Sequence, residues 1–285
     1  MEIKKVGVVG CGLMGGGITE VCAKAGYPTV VLEVKQEFLD KGLTNIRTSL
    51  ERVVKRGRMT EEEKNATLGR IKGTLSVEDF SDCDLVIEAA IENLAEKKKI
   101  FADLDRVCPP HAFLASNTSC LSILDMAMVT KRPNQVLGLH FFSPVPVMQL
   151  VEIVQTLVTS DEVIKTAEQF CKSIGKQTVL CKDTPGFIAN RLAMVYLVYV
   201  FRCYEQGLAT KEDIDKTMRL GLNHPMGPLE LSDFIGLDVI YYILSAMYEE
   251  TKDALFAPPI ILKKMVAAGH LGRKTGKGFY DHKQS

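Results

Sequence analysis

Ile3-Lys4-Lys5-Val6-Gly7-Val8-Val9-Gly10-Cys11-Gly12-Leu13-Met14-Gly15 lies almost at the start of the chain, and the fold is read outward from it. The β-branched run Val6, Val8, Val9 ends in the spacing G-x-G-x-x-G at Gly10, Gly12 and Gly15. A helix-like segment continues to Ala25 and stops at Gly26, and Thr29 to Val34 reads as a second strand. Strand, glycine turn, helix and strand within roughly thirty residues make one βαβ unit. In such a turn the first glycine permits the tight reversal. The second lets a pyrophosphate approach the backbone, and the third lets helix and strand pack closely. The residues at this turn, Gly10, Gly12, Leu13, Met14 and Gly15, are therefore candidates to hold a dinucleotide on the helix N-terminus.

Glu33 closes the second strand at the distance expected of the acid that binds the adenosine ribose hydroxyls and repels a 2′-phosphate. That reading selects NAD over NADP. A solvated surface acid is the alternative, and Lys35 close behind it would soften the discrimination.

Strands and helices keep alternating beyond this unit. Gln36 to Lys64 has an amphipathic, charged helical pattern broken at Arg56-Gly57-Arg58. Leu85 to Ala89 is a continuous apolar run suited to a buried parallel strand. Ile91 to Val107 reads as a helix, Phe113 to Ala115 and Val136 to His140 as strands, and Gln149 to Val154 as another. Asp161 to Ile174 is helical and Thr178 to Leu180 is a last strand. The alternation predicts an α/β fold: a Rossmann-like, doubly wound, mostly parallel sheet over residues 1–183. From Asp183-Thr184-Pro185-Gly186 the pattern turns helical, with Phe187–Gln206, Lys211–Leu220, Pro228–Glu250 and Pro258–Ala268 as helices. An all-helical second domain, 184–285, for substrate binding and dimerisation follows.

Composition narrows the function. The 285 residues carry 35 basic and 35 acidic side chains, a net charge of zero, so nothing favours nucleic acid or an anionic membrane as partner. The longest apolar run, Leu192 to Phe201, is about half the roughly 20 residues that span a bilayer. Eight scattered cysteines without a C-x-x-C pair suit free thiols in a reducing compartment, and five histidines show no zinc-ligand spacing, so no metal is expected. The N-terminus resembles neither a secretory nor a transit leader, and a cytoplasmic location is expected.

Two polar segments stand out against this frame. Ser116-Asn117-Thr118-Ser119 follows a strand; Gly138-Leu139-His140-Phe141-Phe142-Ser143-Pro144 precedes Leu150-Val151-Glu152. Ligands of an open parallel sheet sit beyond the carboxyl ends of its strands. There His140 is a candidate proton acceptor and Glu152 its orienting acid. A core histidine beside two phenylalanines, with an unrelated acid, fits the residues equally well. Arg47, Arg52, Lys55, Arg56 and Arg58 crowd one helical stretch; they could meet phosphates, although a solvated charged helix is the ordinary meaning.

Taken together, the motifs resemble the short-chain 3-hydroxyacyl-CoA dehydrogenases, most closely the bacterial 3-hydroxybutyryl-CoA group, over nearly the whole chain. The likeness rests on the glycine motif, Ser116-Asn117-Thr118-Ser119, His140-Phe141-Phe142-x-Pro144, Pro185-Gly186-Phe187-Ile188-Ala189-Asn190-Arg191, His224-Pro225-Met226-Gly227-Pro228 and Lys274-Thr275-Gly276-Lys277-Gly278-Phe279-Tyr280. It implies NAD as cofactor, an acyl-CoA substrate such as acetoacetyl-CoA or 3-hydroxybutyryl-CoA, and a homodimer. It makes His140 the acid/base with Glu152 as partner, and it sets Ser119 and Asn190 against the reacting oxygens. Glu92, Lys97, Asn117, Ser119, Ser143 and Lys274 join the cofactor pocket, and Ser49 with Arg56 lies along the coenzyme A portion. Ser143 departs from the family's usual asparagine; a hydroxyl is shorter and lacks the amide's two donors. Related proteins of this superfamily oxidise free hydroxy acids or sugar acids, and some are non-catalytic NAD-binding crystallins. Those two functions are the alternatives.

Overall fold

A computed structural model describes residues 2–282 and divides the chain into two compact units, Met1–Thr184 and Pro185–Ser285. The first unit runs β1 (Val6–Val9), α1 (Leu13–Lys24), β2 (Thr29–Leu32), α2 (Gln36–Lys55), α3 (Glu61–Gly69) and β3 (Ile71–Thr74). It continues through β4 (Leu85–Glu88), α4 (Leu94–Val107), β5 (Phe113–Ser116), α5 (Ile123–Ala127) and β6 (Val136–Phe141). Next come β7 (Leu150–Gln155), α6 (Asp161–Ser173) and β8 (Gln177–Lys182).

The eight strands form one sheet in the order β3-β2-β1-β4-β5-β6-β7-β8. The first six are parallel, in the doubly wound order 3-2-1-4-5-6, so the strand order reverses beside β1. The β7 strand pairs antiparallel with β6, and β8 follows β7 in parallel. The central strands β1, β4, β5 and β6 are buried on both faces, as helix-covered parallel strands must be. Val8, Ile18, Val31, Leu50, Ile87, Leu139, Ile153 and Phe170 belong to one continuous apolar core that joins helices to sheet.

The break expected at Arg56-Gly57-Arg58 divides the charged stretch after β2 into two helices, because Gly57 at φ +68° ends the first and Thr60 starts the second with a reciprocal capping box to Glu63. Elsewhere the structure departs from the sequence reading. Strand β3 has no apolar run to announce it: Ile71-Lys72-Gly73-Thr74 is an edge strand, half-buried.

The second unit holds α7 (Ala189–Glu205), α8 (Lys211–Gly221), α9 (Pro228–Ile235), α10 (Leu237–Thr251) and α11 (Ile260–Ala267). The single helix expected over 228–250 is broken by 91° at Gly236, whose φ of +103° suits a residue without Cβ. Among the described residues no single helix is long and apolar enough to cross a membrane.

Two buried aspartates tie this unit together. Asp215 accepts the N–H groups of Leu229 and Glu230 at 2.8 and 2.9 Å, capping α9 from α8, and also the Tyr280 hydroxyl at 2.9 Å. Asp233 accepts the N–H groups of Phe279 and Tyr280 at 2.8 and 2.9 Å and stands 2.9 Å from His282 Nε2. The Gly227-Pro228 and Gly278-Phe279-Tyr280 segments are thus docking partners of these carboxylates. Asp233→Ala strands several buried donors and is expected to cost about 3 kcal/mol of stability, measured by chemical denaturation; a loss below about 1 kcal/mol would show that the carboxylate does not hold the C-terminal segment.

Candidate active site

Helix α1 starts without a side-chain cap. Gly12 is its N-cap, and no acidic residue stands in its first turn. The first N–H groups of a helix have no intrahelical partner, so this start is built to receive an anion. A Cβ on Gly12 would meet nothing within 4 Å, leaving the backbone open to a ligand, whereas one on Gly15 would fall 1.9 Å from the Gly10 carbonyl oxygen. The turn therefore excludes side chains where helix packs on strand and stays bare where a pyrophosphate would approach. Leu13 is exposed and Met14 half-buried beside it. The residues fit a dinucleotide.

Glu33, one residue past β2, is half-buried. Its Oε1 accepts the Cys11 N–H at 2.7 Å and its Oε2 the Val34 N–H at 3.1 Å. The carboxylate thus stands at the glycine turn itself. Burial first, and the Glu33 charge second, push the Cys11 thiol up to about 11, so it is a packing group and not a nucleophile.

A second cluster lies at the carboxyl ends of β4 and β5. Glu88, fully buried, accepts from Lys97 Nζ at 2.6 Å, from the Ala90 N–H at 2.7 Å and from the Ser116 hydroxyl at 2.6 Å. Lys97, also buried, is 3.3 Å from Glu92 as well. Glu92 in turn accepts the Thr118 hydroxyl and the Ser119 N–H, the latter at 3.1 Å. One buried cation thereby links β4, α4 and the loop after β5. Removing one member of a buried pair of this kind costs about 3–5 kcal/mol, because the partner charge is stranded. The Cys120 thiol beside Glu92 is raised to about 12 by burial and by that carboxylate. Asn117, buried, accepts the Phe141 N–H through Oδ1 at 2.9 Å, tying the same loop to the end of β6.

The third cluster is the histidine and its acid. In the antiparallel register of β6 and β7, His140 faces Glu152 directly. Both are buried, and His140 Nδ1 lies 2.7 Å from Glu152 Oε2. A carboxylate at Nδ1 assigns the proton to that nitrogen and the basic lone pair to Nε2. The Phe142 ring packs tilted against the imidazole, with centroids 4.6 Å apart. The bland alternative of an unrelated surface acid fails here, since Glu152 is neither exposed nor unrelated to His140. Ser143 follows, exposed, just past β6.

A family model described as 3-hydroxyacyl-CoA dehydrogenase, NAD binding domain, matches residues 5–184, and the C-terminal domain model of the same name matches residues 186–282. The chain belongs to the 3-hydroxyacyl-CoA dehydrogenase family. It is 49% identical over 282 residues to a 3-hydroxybutyryl-CoA dehydrogenase of Mycobacterium tuberculosis, covering 98% of this chain and 99% of that protein. It is 45% identical to a probable 3-hydroxybutyryl-CoA dehydrogenase of Deinococcus radiodurans, over 98% of this chain and 100% of the relative. Among solved structures, the (S)-3-hydroxybutyryl-CoA dehydrogenase of Ralstonia eutropha superposes with a TM-score of 0.97 at 42% identity, covering 99% of this chain and 100% of that one. NAD is accordingly the cofactor of the family's N-terminal domain.

Four other residues singled out in the sequence stand on other elements. Ser49 is on α2, where its hydroxyl bonds the Glu20 carboxyl; burial raises that carboxyl, and Ser49 and Lys24 partly offset the rise. Arg56 ends α2, exposed, with Arg52 and Lys55 in the last turn. Asn190 and Lys274 belong to the second unit. Asn190 is in the first turn of α7, and Lys274 stands 2.6 Å from the Asp238 carboxylate. Glu88 was not singled out, although an acid inside the apolar run Leu85–Ala89 was the available signal.

Glu33→Ser removes the carboxylate from the glycine turn. Titrating the variant with each reduced nucleotide by fluorescence should show NADH weakened relative to NADPH by about tenfold; an unchanged ratio would remove Glu33 from cofactor selection.

Proposed function

We propose that the protein catalyses the reversible NAD-dependent oxidation of (3S)-3-hydroxyacyl-CoA of short chain, 3-hydroxybutyryl-CoA, to the 3-oxoacyl-CoA, acetoacetyl-CoA. The observation that carries the reading is the buried His140–Glu152 pair, 2.7 Å apart at the end of a parallel strand in a sheet whose opening turn fits a dinucleotide. The relatives' names supply the substrate class. When bound, NAD supplies the hydride acceptor in one direction and the donor in the other.

The chain's own part is proton chemistry and positioning. In oxidation His140 Nε2 takes the proton of the 3-hydroxyl as C3 loses hydride. Glu152 keeps the imidazole in the required tautomer and stabilises the imidazolium that forms. In reduction the imidazolium returns the proton to the developing alkoxide. Ser119 and Asn190 are assigned to the reacting oxygens, and the bond from Ser119 N–H to Glu92 supports a fixed place for the first.

Glu92, Lys97, Asn117, Ser143 and Lys274 are assigned to the cofactor, and Ser49 with Arg56 to coenzyme A. The basic end of α2 supports the latter assignment. In this division of labour residues 1–183 bind NAD and residues 184–285 serve the substrate and a homodimer contact. Exposed Leu192, Tyr199, Leu220 and Phe234 support the homodimer. The protein is read as cytoplasmic.

His140→Gln keeps the ring's approximate volume without a titrating nitrogen. Its turnover with acetoacetyl-CoA and NADH should fall by about 10²–10⁴ while NADH binding persists. Turnover near that of the unaltered enzyme would refute the acid/base assignment.

A further inference from the structure

Lys176 is a buried lysine that the chemistry above does not use. It follows Gly175, at φ +75°, and its N–H bonds the Cys171 carbonyl at 2.8 Å, so its backbone is anchored to the end of α6. Its Nζ donates to two backbone carbonyls, Val145 at 2.5 Å and Met148 at 2.6 Å. Burial holds the ammonium below its ordinary range. The charged and titratable groups around it are the thiols of Cys171 and Cys22 and the cation Lys24, and among the described residues no carboxylate pairs with it. A buried cation without a counter-charge is costly, and here its hydrogen bonds all go to one loop.

That loop, residues 142–149, joins the strand of His140 to the strand of Glu152. It begins with Phe142, whose ring lies on the imidazole, and Ser143. Its internal bonds are few: the Val147 and Met148 N–H groups both go to the Pro144 carbonyl, and Pro144 and Pro146 have no N–H to give. The Val145 side chain, buried, rests on α1 at Gly17. A Cβ on Gly17 would lie 2.8 Å from Val145 Cβ and 3.1 Å from its Cγ2. The loop is therefore held at two points, by bare helix backbone at Gly17 and by the Lys176 ammonium.

We propose that Lys176, together with Gly17, is a positioning residue for the reaction: the two hold the loop between His140 and Glu152 and so fix the ring that packs on the imidazole. The inference rests on the acid/base reading of His140. That reading stands or falls with His140→Gln, so its failure is told apart from a failure of the clamp.

Lys176→Met keeps the length and apolar stem but gives the two carbonyls no donor. In acetoacetyl-CoA reduction its kcat should fall by about tenfold with KM for the thioester changed less than about twofold. The acid-base limb of the kcat–pH profile should move by about half a unit or more, which loss of stability alone would not do. Val163→Ala, a truncation of a buried α6 side chain that makes no bond to the loop's carbonyls, is the stability control and should leave both quantities in place at 25 °C. If Lys176→Met does not fold, Gly17→Ala carries the test by pushing on the Val145 side chain, and the same fall and the same shift are expected. A variant with kcat and pH limb unchanged, or one whose loss only matches that of Val163→Ala at equal melting temperature, would overturn the clamp.

Discussion

The antiparallel register of β6 against β7 is the constraint on which the chemistry depends. A one-residue slip would turn Glu152 to the other face of the sheet and leave His140 opposite an aliphatic side chain. The six parallel strands before it deliver the glycine turn, Glu33, Glu88, Ser116 and His140 toward one edge of the sheet, where their carboxyl ends lie. The reversal at β7 then brings an acid back against the histidine from the opposite direction. Direction of strand and identity of partner are thus one fact.

Three buried or half-buried carboxylates share the work within this unit. Glu33 secures the glycine turn through the Cys11 N–H, Glu88 holds Lys97 and Ser116, and Glu152 holds the imidazole. Each is bonded to a donor on another element, which is what makes burial of an acid affordable in free energy. The same device recurs in the second unit at Asp215 and Asp233, with structural rather than chemical ends.

Much of this was legible in the chain itself. The glycine spacing after Val9 and the acid at Glu33 specify the first βαβ unit because backbone geometry and charge both demand those residue types. His140 and Glu152 were legible as a candidate pair, but not the register that sets them face to face: side-chain pattern carries no strand direction, and β7 reads the same parallel or antiparallel. Strand β3 escaped because an edge strand needs no apolar run. The break at Gly236 escaped because apolar spacing on both sides of it suits one long helix. Lys176 reads as a surface lysine after a helix-ending glycine, and only the fold shows where its ammonium goes. Ser143, where the resemblance implies asparagine, stands exposed just past β6.

The most direct measurement follows absorbance of reduced nicotinamide as the purified protein meets acetoacetyl-CoA, with NADH and NADPH in parallel and free acetoacetate as control. Rapid oxidation of NADH that requires the thioester is the expected result, and it joins the histidine pair, the cofactor turn and the substrate class in one observation. NADH that binds but is not oxidised by the thioester would contradict the account.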